Sequence, residues 1–301
     1  LGTFISISNA YFEGNSVDMR GGGADGGAIR TGGALSMTNV QFVNNENKKD
    51  LDGAALSFDG TSLRLVADNG NVLFKGNIAR KGLTGQSSSG IHIDGKDEKK
   101  IMFNAGNGGE VVFFDKIVNA GTEAGANLTL ELNKSNVLNA TSTQLEQIYA
   151  KFFDAGGAYI GPTSKLDMQK TILGANSVYW LSKEEAAAAG RLKEWNDLHE
   201  VEGIKTAPTD GKIIFNTQIS NTSLNLHNGE LLLADEITDE IRNKQYITGN
   251  SNLNLYGGKL DVSNNNIESK GQLAFNKINV ESEAELNLDI DILNNKIDYL
   301  G

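Results

Sequence analysis

The chain carries three histidines, His92, His199 and His227, and no two of them stand at a spacing that would hold a metal ion between them. His92 lies in Ile91-His92-Ile93 and His227 in Leu226-His227-Asn228, strand-like settings whose alternation turns an imidazole outward. His199 closes a helical stretch beside Glu200, where a cation complements the helix dipole. Carboxylates offer two pairs, Asp289 with Asp291 on one strand face and Asp235 beside Glu236. Such pairs can serve as general acid and base. No arginine or lysine recurs beside them, so they read as solvated strand edges. Gly21 to Ile29 sets Asp25 among glycines in a way similar to a calcium-binding turn between stacked coils, but its glycine spacing differs and no tandem copy follows. There is no Gly-Asp-Ser-Gly nucleophile loop. The expectation is no catalytic residue, no metal, no cofactor and no single residue marked out for binding.

The elements that would position any site are announced by a repeated phrase. A glycine turn runs into a strand at Gly26-Gly27-Ala28-Ile29, Gly32-Gly33-Ala34-Leu35 and Gly53-Ala54-Ala55-Leu56. An aromatic strand ends on asparagine at Phe12 to Asn15, Phe42 to Asn45 and Phe74 to Asn77. Recurrence roughly every 30 residues is the signature of a stacked solenoid. Alternation puts Leu63 and Leu65, then Val72 and Phe74, on an inner face and turns Arg64 and Lys75 outward. The plan recurs at Ile101, Phe103, Ala105, Asn107-Gly108, Val111 and Phe113. Asn-Gly turns at residues 69–70 and 107–108 supply positive φ, and asparagines at equivalent corners can stack in a hydrogen-bonded ladder. Asn-Gly also suits antiparallel hairpins. The in-register recurrence decides for an all-β chain folded as a right-handed parallel β-helix of the pectin-lyase-like kind, with short helical insertions. At roughly 22 to 25 residues per coil and about 4.8 Å between strands, it would make about ten coils and a rod on the order of 50 Å.

These residues resemble the passenger regions of bacterial autotransporters, proteins of type V secretion. The Gly-Gly-Ala-Ile and Phe-x-x-Asn pairing, from Phe12 to about Phe114, looks most like the polymorphic outer-membrane protein branch. Leu253 to Val262 and Leu286 to Asp291 are similar to the strand-rich distal part of such passengers. The resemblance implies a non-enzymatic adhesin or self-association rod outside the cell, held at the outer membrane by a barrel domain beyond this sequence. Its implied partner is a host-cell or bacterial surface protein or glycan, and the rod itself is expected to be monomeric. Two alternatives are a carbohydrate-cleaving β-helix enzyme, a polysaccharide lyase or hydrolase, and a phage tailspike-like structural protein. The Gly-His-Gly and Arg-Ile-Lys segments of pectin hydrolases are missing.

Composition agrees. A net charge of -11 argues against nucleic acid and anionic lipid as partners. Gly 35 with Pro 2 describes a turn-rich chain rather than a proline-rich linker. Cys 0 suits a chain that crosses a membrane unfolded and is held by stacking rather than disulfides. No apolar run is long enough for a membrane-spanning helix, so no membrane insertion is expected. The chain, with neither signal peptide nor barrel strands, reads as a piece of a longer protein.

One domain over residues 1–301 is expected, with a helical insertion region at 141–210. There Leu145, Ile148, Tyr149, Phe152 and Phe153 keep helical spacing behind a Thr143-x-x-Glu146 capping box. A second helix is expected from Ser182 to Leu198, capped through Glu185, with Ala188, Leu192 and Trp195 on its packed side. Tyr179-Trp180 and Lys212 to Phe215 are read as the strands on either side of that second helix.

Overall fold

The structure is a computed structural model and describes residues 4–18, 26–48, 53–81, 85–93, 99–119, 128–136, 143–144, 147, 150, 154–158, 177–233, 247–263, 275–281, 283–288, 290–291 and 296–297. Two parallel eight-stranded sheets run its length. The first stacks Phe4–Ser8, Ala34–Thr38, Ser62–Asp68, Lys100–Gly106, Leu128–Leu132, Thr222–Leu226, Asn252–Leu255 and Lys277–Val280. The second stacks Tyr11–Glu13, Gln41–Val43, Asn71–Lys75, Glu110–Phe113, Lys212–Phe215, Glu230–Leu233, Lys259–Asp261 and Glu285–Asn287. Each coil crosses the first sheet and then the second, so the chain is a parallel β-helix of eight coils among the described residues. Smaller sheets close the early coils, one stacking Ile29–Thr31, Leu56–Phe58, Ile91–Ile93 and Ile117–Asn119.

Eight coils rather than ten follow from coil length. Successive corner residues Asn15, Asn45, Asn77 and Asp115 lie 30, 32 and 38 residues apart. These coils spend residues on additional short sides that a 25-residue coil lacks. At about 4.8 Å per strand the stack spans about 34 Å.

The period-two alternation builds the core. Phe12, Phe42, Phe74, Phe113 and Phe215 occupy one inward register of the second sheet. Their rings stack with centroids 4.8, 4.9, 4.9 and 5.3 Å apart. Leu65 and Phe103 face them as partners in the first sheet, as the sequence predicts. Each buried Phe is worth roughly 3 to 5 kcal/mol against truncation to Ala.

Phe-x-x-Asn is a corner as well as a core motif. Gly14, Asn44 and Gly76, just before the asparagine, all have positive φ, turning the chain out of the second sheet. The asparagine that follows bonds to its counterpart one coil on. Asn15 Nδ2 donates to Asn45 Oδ1 at 2.8 Å, and Asn45 Nδ2 to Asn77 Oδ1 at 2.8 Å. The next corner is one residue shorter, and there Asp115 accepts from the Asn77 backbone N–H at 3.0 Å. The ladder ends on a buried carboxylate.

The three glycine turns are not equivalent. Ile29 and Leu56 pair with each other, so Gly26 to Ile29 and Gly53 to Leu56 stack, while Leu35 belongs to the first sheet beside Leu63. Crowding explains the small residues in both places. A β-carbon on Gly27 would overlap the Ala54 carbonyl, and one on Gly60 would overlap Gly33.

The insertion leaves the rod between Leu128–Leu132 and Lys212–Phe215 of one coil. Its ends meet, because the Ala207 N–H donates to the Asn136 carbonyl at 2.6 Å. Tyr179 and Trp180 form a 3-10 turn, Val178–Trp180, instead of a strand: Ser177 Oγ accepts the Tyr179 N–H at 3.2 Å and starts it. Ser182 caps α1, Lys183–Ala188, with the reciprocal Glu185 bond of a capping box. Gly190, at φ +69, ends that helix, and α2, Leu192–His199, begins anew. Two helices therefore stand where the sequence predicts one. Ala188 is exposed, and the residues that α1 and α2 bury are Ala186 and Leu198. Thr143, Gln144, Gln147 and Ala150 are helical; Leu145, Glu146, Ile148, Tyr149, Phe152 and Phe153 lie outside the described residues.

Candidate functional site

The outer face of the first sheet is divided in two. Over the early coils the insertion covers it. Tyr179, Trp180, Leu198, Val201 and Ile204 pack on Ala34 and Met102, with Phe4 at the margin. Arg64, expected in solvent, is fully buried there. Its guanidinium lies 4.9 Å from the Tyr179 ring centre and 5.1 Å from that of Trp180, a double cation–π contact. Burial pulls its pKa below the usual arginine value, against the opposing influence of Tyr179. Alternation reads correctly that Arg64 points away from the core, and says nothing of the segment that later covers it.

Over the last four coils the same face carries polar side chains in register. Glu131, Asn225, Asn254 and Asn279 alternate with inward leucines and an isoleucine and are paired strand to strand. Asn225 Nδ2 donates to Glu131 Oε1 at 3.2 Å, Asn254 Nδ2 to Asn225 Oδ1 at 2.7 Å, and Asn279 Nδ2 to Asn254 Oδ1 at 2.5 Å. Two residues on from Asn225 and Asn254, on the same side, stand His227 and Tyr256. Their rings stack at 5.0 Å with a 23° tilt, and Tyr256 stays 43% exposed.

A cleft of about 540 Å³ opens where this face meets the insertion, with Lys134, Glu185, His227 and Tyr256 in its walls. Lys134 Nζ pairs with Glu185 Oε1 at 2.6 Å, so the glutamate of the α1 capping box also ties the insertion to the rod. His227 Nε2 lies 2.6 Å from Glu131 Oε2. Burial works to raise the Glu131 carboxyl, but His227, Lys134 and Asn225 outweigh it and hold its pKa below the ordinary glutamate value. The cleft thus has a carboxylate-oriented imidazole, an aromatic wall and neutral amides. Among the described residues no group of three metal-ligating side chains comes together.

His92 alternates with the core residues Ile91 and Ile93 yet is only 6% exposed, so its imidazole is covered rather than in solvent, contrary to expectation. His199 closes α2 as read; its ring stacks on Trp195 at 3.5 Å and its Nδ1 meets the Trp195 carbonyl at 2.9 Å. Asp235, Glu236, Asp289, the Asp291 side chain and Gly21 to Asp25 lie outside the described residues. The sequence alone does not mark Glu131 or Tyr256 as site residues. Their signal is the shared frame Leu130-Glu131-Leu132, Leu224-Asn225-Leu226-His227 and Leu253-Asn254-Leu255-Tyr256, which aligns them on one face.

No protein-family model, no curated protein and no solved structure matches the chain. Among the described residues no helix is long and apolar enough to cross a membrane.

Proposed function

We propose that the chain is a non-enzymatic binding rod, a stretch of a bacterial autotransporter passenger displayed outside the cell, which acts by adhesion or self-association. The observation that carries this reading is the open polar face of the last four coils, where Glu131, Asn225, Asn254 and Asn279 repeat one kind of outward group in register. A periodic surface of this kind suits recognition spread over several coils. The glycine corners and Phe-x-x-Asn units that resemble the polymorphic outer-membrane proteins also support it, since they shape the early coils. The partner on this reading is a protein or glycan of a host or bacterial surface. The test is adhesion of protein-coated beads to epithelial and to bacterial cells, with the uncoated bead as control. Adhesion above control is expected, and its absence on both cell types would overturn the proposal.

A second reading, a carbohydrate-cleaving enzyme, has one observation in its favour: the His227–Glu131 pair at 2.6 Å is the arrangement of an oriented general base. Release of reducing or unsaturated ends from polysaccharides, abolished by His227→Gln, would replace the first reading with this one.

A further inference from the structure

We infer that the outer face of the last four coils and the adjoining cleft form one groove for an extended, neutral oligosaccharide, with Tyr256 on His227 as stacking platform and Asn225, Asn254 and Asn279 as hydroxyl-binding ladder. This deepens the adhesive reading and rests on it.

The ladder sets the ligand's form. Each asparagine uses one N–H to reach its neighbour, and its amide has a second N–H and a further acceptor lone pair. The same pair of groups therefore recurs at each coil, about every 4.8 Å along the rod. A chain of sugars, offering donor and acceptor hydroxyls at each residue, can follow such a row; a compact ligand would use only one step of it.

The platform sets the ligand's chemistry. Tyr256 is held flat against His227, and Glu131 fixes His227 from the other side at 2.6 Å. An aromatic ring that is both exposed and immobilised packs against the apolar face of a pyranose at little entropic cost. A protein partner would instead favour an apolar centre, and here one ring stands among amides.

Charge sets the ligand's sign. Lys134 is committed to Glu185, and the His227 ring is bonded to Glu131, so the cleft's lysine and imidazole each face a carboxylate. The protein as a whole carries -11. The described face adds an exposed lysine, Lys277, at its last coil, and against it the exposed carboxylates Glu281 and Glu283, the latter in the cleft wall, so a polyanionic glycan would still meet a repelling field. The cleft's volume, about 540 Å³, suits one or two sugar rings, with the ladder continuing beyond it.

The experiment titrates the whole chain with cellohexaose, chitohexaose and mannohexaose, and with a heparin hexasaccharide as the anionic comparison, by calorimetry and by NMR of asparagine side-chain amides. At least one neutral hexasaccharide is expected to bind with Kd on the order of 0.1 to 1 mM and to shift the Asn225, Asn254 and Asn279 amides. Tyr256→Ala and Asn254→Ala should each weaken binding about tenfold, whereas Tyr256→Phe should hold it within about twofold. Circular dichroism of the Tyr256 and Asn254 variants should match the parent. Binding of no neutral hexasaccharide, tighter binding of the heparin fragment, or indifference to Tyr256→Ala would each overturn the inference. If coated beads still adhere to cells when no hexasaccharide binds, the groove assignment fails and the adhesive reading stands with a protein receptor. If the beads do not adhere either, both fail.

Discussion

Arg64 and Tyr179, 115 positions apart, meet with the guanidinium 4.9 Å from the ring centre and an N–H to hydroxyl contact of 3.5 Å. This contact pins the insertion to the rod through a strand residue whose alternation alone would leave it in water. The covering rings carry much of the docking energy. Trp180→Ala should cost roughly 3 to 5 kcal/mol of docking stability. Arg64→Glu should also undock the insertion by burying a carboxylate against two aromatic rings. Limited proteolysis reads this directly: cleavage should concentrate in the insertion of both variants and spare the coils.

The phenylalanine stack should fail locally. Phe74→Ala opens a cavity between Phe42 and Phe113, at a cost of roughly 3 to 5 kcal/mol. Nearest-neighbour coupling confines the damage to adjacent coils. Hydrogen exchange should accelerate in Gln41–Val43 and Glu110–Phe113 and stay unchanged in Asn252–Leu255.

Two carboxylates should respond to acid with opposite sign. Burial pushes the Asp115 pKa above the ordinary 3.8, against hydrogen bonds from Asn77, Ser88 and Gly76. Its contribution to stability is therefore greatest in acid and declines as pH rises from 3.8 through the folded value. Glu131, held below its ordinary 4.5, contributes fully above that pH and loses its contribution as pH falls through the folded value. Carboxyl carbon shifts followed from pH 2 upward should place the Asp115 midpoint above 3.8 and the Glu131 midpoint below 4.5.

The insertion should be separable from the stack. Its two ends are joined by the Ala207 to Asn136 hydrogen bond of 2.6 Å, so replacing residues 137–206 by a short Gly-Ser bridge needs no movement of the rod. The deleted protein should keep its β circular dichroism and expose Met102 and Arg64. Loss of that spectrum would mean that the coils depend on their cover.

Much of this fold is legible because stacking writes itself into sequence. The aromatic, asparagine and glycine positions each recur at one corner or face, so Phe42, Asn45 and Gly27 announce their roles. Coil length is not legible in the same way, since loops between short sides vary without disturbing the register. Arg64 shows the second limit: a period of two tells which side a residue takes, and the cover comes from a segment over 100 positions away. Gly190 shows a third, because helical spacing runs on through it from Ser182 to Leu198, whereas its φ of +69 makes it a stop. The groove is half visible in the sequence. His227 stands out there as a lone histidine, but its stacking on Tyr256 depends on coil register.

The central claim is that this rod works by adhesion through the outer face of its last coils. Its most direct test compares beads coated with the parent, with Asn225→Ala, Asn254→Ala and Asn279→Ala combined, and with Gln41→Ala, Lys75→Ala and Glu110→Ala combined on the outer side of the second sheet. Adhesion to cells should fall about tenfold or more with the asparagine triple and stay within about twofold of the parent with the other. Equal adhesion by all three would contradict the claim.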